Sequence, residues 1–192
     1  MKRYYIIFIF IFLIFLFNIT YSSVIIGEEP QENKNSLKIW SITETSNSSE
    51  PVTGNKAPGF TYKKEDEEKI RLSDLEGKIV FLNFWASWCP PCKEEMPDIQ
   101  NIYEKYKDQK NVKILTVNLQ EEDNTVTNYL NNNELNFPVL MDEGTLAQSY
   151  YVSSIPTSFF IDQEGIIQKI QKGAMTEKMI EKNIREIDNS SS

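Results

Sequence analysis

A continuous apolar run at residues 79–85 (IVFLNFW) follows the turn signal Glu76-Gly77. Its β-branched and aromatic residues show no alternation, which predicts a strand buried on both faces and therefore central in a sheet. The run leads through Ala86-Ser87-Trp88 to Cys89-Pro90-Pro91-Cys92. Ile99, Ile102, Tyr103 and Tyr106 then recur at helical spacing and predict a helix to about residue 106, kinked at Pro97. Residues 112–117 read as a strand, about 125–131 as a helix, 139–141 as a short strand and 146–150 as a short helix. Beyond Pro156, residues 158–161 and 166–170 flank Asp162-Gln163-Glu164-Gly165 as a hairpin. A last helix starts near Thr176 and turns Met179, Ile180, Ile184 and Ile187 inward. Alternating strands and helices closed by a hairpin and a helix predict the α/β class, with a central mixed β-sheet covered by helices on both faces.

The first third of the chain is patterned differently. Lys2 and Arg3 precede a nearly pure apolar run at residues 4–17, and no formal charge follows until Glu28. Secretory signals carry roughly 7–15 apolar residues behind a basic end, and a spanning helix needs about 20. The uncharged stretch of residues 4–27 falls between the two. Thr20-Tyr21-Ser22 is a poor match to a small-residue cleavage site, so residues 1–27 are expected to act as a signal-anchor, with a cleaved signal peptide as the alternative. Either way the basic end stays inside and the rest is exported. Residues 28–56 turn to Glu, Asn, Ser, Thr and Gln, with few apolar positions beyond Leu37, Ile39, Trp40, Ile42 and Val52. They read as a flexible polar linker, with a short strand or docking segment at 37–42 as the alternative. The folded domain is expected over residues 57–192.

A net charge of −8 without a basic run argues against a nucleic-acid partner, whose phosphates need clustered Lys and Arg. Histidine is absent and the cysteines number two, so one chain can build neither a four-ligand Cys/His zinc site nor a His-based catalytic dyad or triad. Chemistry is left chiefly to the cysteine pair. Two intervening residues at a strand-to-helix junction bring the sulfurs within bonding range. At the helix start Cys89 meets unpaired N–H groups and the positive end of the macrodipole, which favour its thiolate and make it the attacking sulfur. Cys92, one turn in, resolves the mixed disulfide. Pro90 and Pro91 suit a first helical turn. Three other uses of the pair compete. A structural disulfide closing so small a loop removes little chain entropy, and half of a metal site needs a second chain. A peroxidase needs an activating hydroxyl three residues before the cysteine, where Ala86 stands.

Residues 85–93 (WASWCPPCK), Pro97 and Ile155-Pro156-Thr157 together resemble the thioredoxin superfamily. Residues 57–60 (APGF), 72–78 (LSDLEGK), 94–97 (EEMP) and the additional helix and strand between Val117 and Ile155 are similar to its extracytoplasmic ResA/TlpA-like branch. The resemblance spans about residues 57–187 and implies a thioredoxin-like fold with an extra helix-strand insertion. It implies a cis Pro156 facing the cysteines, and client contacts at Trp88, Pro90, Ile155 and Pro156, with strand addition along Ile155. Thioredoxin carries a buried Asp six residues before the first cysteine; here Asn83 stands there and cannot take the proton from Cys92. The branch implies Glu95 in that role beside the catalytic Cys89 and Cys92, with Glu121 as a second acid; the alternative for each is a solvated surface carboxylate.

The implied activity is reduction of disulfides in exported proteins, apocytochrome c before haem attachment among them, with a membrane thiol carrier as electron donor. The resemblance and the N-terminal segment together imply a monomer tethered to the cell membrane with its catalytic domain on the extracytoplasmic side, or secreted if the signal is cut. No cofactor is called for beyond the redox-active Cys89–Cys92 disulfide, and no metal. A disulfide-forming oxidant, a thiol peroxidase and a non-catalytic thioredoxin-like binding module are the alternatives.

Overall fold

The computed structural model describes residues 37–46, 50–64 and 66–190. The signal-anchor expected over residues 1–27 lies outside them, and among the described residues no helix is long and apolar enough to cross a membrane. In chain order the elements are β1 (Ile39–Thr45), β2 (Phe60–Lys63), β3 (Lys69–Arg71), β4 (Ile79–Trp85), α1 (Pro90–Tyr106), β5 (Val112–Leu119) and α2 (Asp123–Asn132). There follow β6 (Val139–Asp142), α3 (Thr145–Ser149), β7 (Thr157–Ile161), β8 (Ile167–Lys172) and α4 (Glu177–Ser190). The described strands form one sheet in the order β3-β2-β1-β6-β5-β4-β7-β8. The inner strands β1, β6, β5 and β4 are parallel, and antiparallel pairs extend both edges. This is the mixed α/β sheet the pattern predicts, in a thioredoxin-like fold.

All seven residues of β4 are buried, because helices or loops cover both faces of the strand. Strand alternation divides them. Ile79, Phe81 and Trp85 enter a core with Ile99 and Ile102 of α1 and Ile180 and Ile184 of α4. Val80, Leu82 and Phe84 enter a second core with Trp40, Tyr62 and Tyr150. Burying a large apolar side chain contributes about 1.5–3 kcal/mol, so these two layers anchor the end of β4 firmly. α1 runs without a break through Pro97, which lies exposed.

Two expectations need correction. The linker assigned to residues 28–56 contains a strand: β1 pairs in parallel with β6, and buried Trp40 stacks on Tyr62 with ring centroids 5.3 Å apart. Farther along it, the Gly54 N–H donates to Ile167 O at 2.8 Å and Lys56 bridges to Ile166, so this stretch is fastened to β8. The domain therefore includes residues well before 57. Its polar composition misleads because Ile39, Trp40 and Ile42 alone fasten β1 to the two cores, while Ser41 and residues 43–45 stay exposed. In α4, Met179 is 43% exposed and Asn183 takes the inward place. Asn183 is buried at 4%, and its Oδ1 accepts from Lys169 Nζ at 2.7 Å, so a tertiary partner makes a polar residue welcome on the apolar stripe.

Candidate active site

Beyond the carboxyl end of β4 the chain turns at Ser87-Trp88, closed by the Cys89 N–H donating to Ala86 O at 3.2 Å. Cys89 is the N-cap of α1, and its Sγ accepts from the Cys92 N–H at 3.3 Å. Pro90 and Pro91 occupy the first helical positions, where a missing N–H costs little. Cys89 and Cys92 are joined in a disulfide, S–S 2.11 Å and Cα–Cα 5.3 Å. Cys92 is fully buried and Cys89 nearly so. A helix of seventeen residues aims its positive end and a free N–H at Cys89 Sγ, which favours a thiolate there once the disulfide opens.

The loop before β7 faces the pair. The Ile155–Pro156 bond is cis, and Ile155 O lies 3.7 Å from Cys89 Sγ. Ile155 is half-buried and Pro156 buried, while Trp88 and Pro90 are exposed. Trp88, 65% exposed, and Ile155 line a groove of about 500 Å³ together with Leu119, Gln120 and Val152. Cys89 itself does not line this groove; it lies beside it, with its Sγ against the carbonyl of the lining residue Ile155.

Glu95 follows Cys92 by three residues on α1 and is buried to 1%, which excludes the solvated-surface alternative. Its Oε1 accepts from Asn83 Nδ2 at 2.7 Å and its Oε2 from the Met175 N–H at 2.9 Å. Burial raises its carboxyl from 4.5 to about 7; the two hydrogen bonds pull the other way, and the neighbouring charge of Asp98 adds to the rise. A carboxyl so placed exchanges a proton near neutral pH.

Glu121 is half-buried just beyond β5. It accepts from the Ser87 N–H at 2.6 Å, from Ser87 Oγ at 2.5 Å and from Asn118 Nδ2 at 2.8 Å. It therefore ties the turn before Cys89 to the end of β5. Sequence reasoning named both glutamates and missed their partners Ser87, Asn118 and Met175, as well as Ser158, which accepts from Asn83. The available signal was polarity inside apolar strands, since Asn83, Asn118 and Ser158 are fully buried.

The AhpC/TSA family model matches residues 53–170. The thiol-disulfide oxidoreductase ResA of Bacillus subtilis (strain 168) is 44% identical over 128 residues, covering 66% of this chain and 71% of that protein. Among solved structures, StoA from Bacillus subtilis is 34% identical with a TM-score of 0.58, covering 69% of this chain and 98% of that one. The exposed lipoprotein thioredoxin of Streptococcus pneumoniae strain TIGR4 is also 34% identical with a TM-score of 0.58, covering 67% of this chain and 98% of that one.

Proposed function

Starting from the fact that this chain belongs to the AhpC/TSA family and is a ResA-like thiol-disulfide oxidoreductase, we propose that it works as a reductant of disulfides in exported proteins. The observation that carries the chemistry is Cys89 Sγ at the start of α1, in contact with the Cys92 N–H and beside an open groove. The Cys89 thiolate attacks one sulfur of the client disulfide, forming a mixed disulfide and releasing one client thiolate. Cys92 passes its proton to Glu95 and attacks Cys89 Sγ; the Cys89–Cys92 disulfide closes and the second client thiolate leaves. Two electrons move from the dithiol to the client, and a thiol carrier restores the dithiol. Trp88, Pro90, Ile155 and Pro156 receive the client, whose extended backbone pairs along Ile155.

The domain acts outside the cytoplasm, held at the membrane by residues 1–27, and apocytochrome c is the narrower client reading. The apolar run behind Lys2-Arg3 supports this placement, as does the exposed lipoprotein among the structural neighbours. Cys92→Ser in the full chain should trap covalent client complexes in membranes, and Cys89→Ser should trap none and lose disulfide reductase activity. A Cys92→Ser chain that captures no partner ends the assignment of Cys89 as attacker. A reduction potential far more oxidising than that of the glutathione couple ends the reductant reading.

A further inference from the structure

Asn83 is fully buried at the middle of β4, with apolar side chains at every other position of the strand. Its Nδ2 donates to Glu95 Oε1 at 2.7 Å and to Ser158 Oγ of β7 at 2.9 Å, so both amide protons are used. Among the described residues its Oδ1 has no partner. A buried acceptor left alone costs about 1–3 kcal/mol, which calls for an explanation.

The explanation lies in the two neighbours, each of which has two hydrogen-bonding states. An ionised carboxylate only accepts, whereas a protonated one donates from the oxygen that carries the proton; a serine hydroxyl donates or accepts as it rotates. With Glu95 ionised, the observed arrangement serves it, since Nδ2 donates to Oε1 and the Met175 N–H to Oε2. With Glu95 protonated on Oε1, that donation would set two donors against each other. Turning the amide over by half a rotation puts Oδ1 where Nδ2 was; Glu95 and Ser158 then both donate to it, the Met175 N–H stays on Oε2, and Nδ2 takes the unpartnered place that Oδ1 left, so each orientation leaves one end of the amide unpaired. Neither orientation needs any backbone movement.

We propose that Asn83 is a positioning residue that follows the proton on Glu95, its amide presenting nitrogen to the ionised carboxyl and oxygen to the protonated one. The inference rests on the reading of Glu95 as the group that takes the Cys92 proton. The groups around Glu95 are Asn83 from β4 with Ser158 of β7 behind it, the Met175 N–H from the segment between β8 and α4, and on α1 itself the charge of Asp98, with Cys92 three residues before it on that helix. An aspartate at position 83 would bring a second carboxyl to hydrogen-bond distance of Glu95, and the two would share one proton instead of handing it on.

The test is a nuclear magnetic resonance titration of the reduced full chain from about pH 5 to 9, following the Glu95 carboxyl carbon and the Asn83 side-chain amide. Both signals are expected to move with one midpoint near 7. Asn83→Asp should split the carboxyl titration into two separated steps, and Asn83→Leu, which supports neither form of the carboxyl, should move the Glu95 midpoint by less than about 1 unit. Asn83 amide signals that stay still while Glu95 titrates overturn the proposal, and so does a Glu95 midpoint raised by about 1 unit or more in Asn83→Leu, which would mean that the amide serves the ionised form alone. If the leucine variant does not fold, the amide signals of the parent chain decide. A Glu95 that does not titrate at all in this range overturns the proton-acceptor reading as well, which separates the two failures.

Discussion

Two glutamates flank the cysteine pair, and each is met by a buried strand asparagine: Glu95 by Asn83 of β4, Glu121 by Asn118 of β5. In both pairs the amide nitrogen faces the carboxyl and the amide oxygen has no partner. Their surroundings divide them. Glu95 is shut away from water with two donors, and burial outweighs those bonds, lifting its carboxyl to about 7. Glu121 is half-exposed with three donors, two of them from Ser87, and ties down a turn. The same pair of residue types thus sits in a water-excluded site in one place and holds a loop in the other.

The largest test of that division is Glu95→Gln. Loss of a positioned base commonly costs 10²-fold or more, so client-disulfide reduction near neutral pH should fall by about 100-fold and the inflection near pH 7 should vanish from the rate profile. A rate within about threefold of the parent would erase the contrast.

The same substitution reports on stability. The folded chain binds the Glu95 proton more tightly than the unfolded chain, because its carboxyl rises from 4.5 to about 7 on folding. The stability linked to it is fully present below about pH 4.5 and is lost as the pH rises through about 7, by about 3 kcal/mol across the window. Urea midpoints should fall with pH in the parent and stay flatter in Glu95→Gln.

Glu121→Gln sharpens the other side. Its amide turns an N–H toward one of the Ser87 donors, and the cost should be about 1–2 kcal/mol in unfolding free energy, with the Glu95 inflection in place. Movement of that inflection would mean that the two acids act together. Ser87→Ala should have the smallest effect, about 0.5–1.5 kcal/mol read as a lower thermal midpoint, since the backbone N–H of residue 87 still reaches Glu121.

Much of this site could be read from the residues in order. β4 was bounded correctly at both ends because a strand covered on both faces has no polar phase to blur it. The helix after Cys89 declared its inner face through Ile99, Ile102, Tyr103 and Tyr106, all buried. β1 escaped because its burial depends on β6, about a hundred residues later in the chain, and local composition in IWSITET carries no trace of that partner. Met179 was turned inward by helical phase alone, and the Lys169 bond to Asn183 shifted the buried stripe. Asn83 was read only as the absence of an aspartate; that it donates to Glu95 required seeing α1 laid against β4.

By itself the sequence determined where the sulfur pair sits, because a cysteine, two prolines and a second cysteine at the end of a buried strand specify a capped helix start through local backbone geometry. Only the tertiary structure decided that the Glu95 carboxyl is shut away from water and pushed up to about 7. Ser158 lies 75 positions from Asn83, and Met175 lies 80 positions from Glu95. Desolvation is set by whatever distant segments close over a group, and no local pattern carries that information.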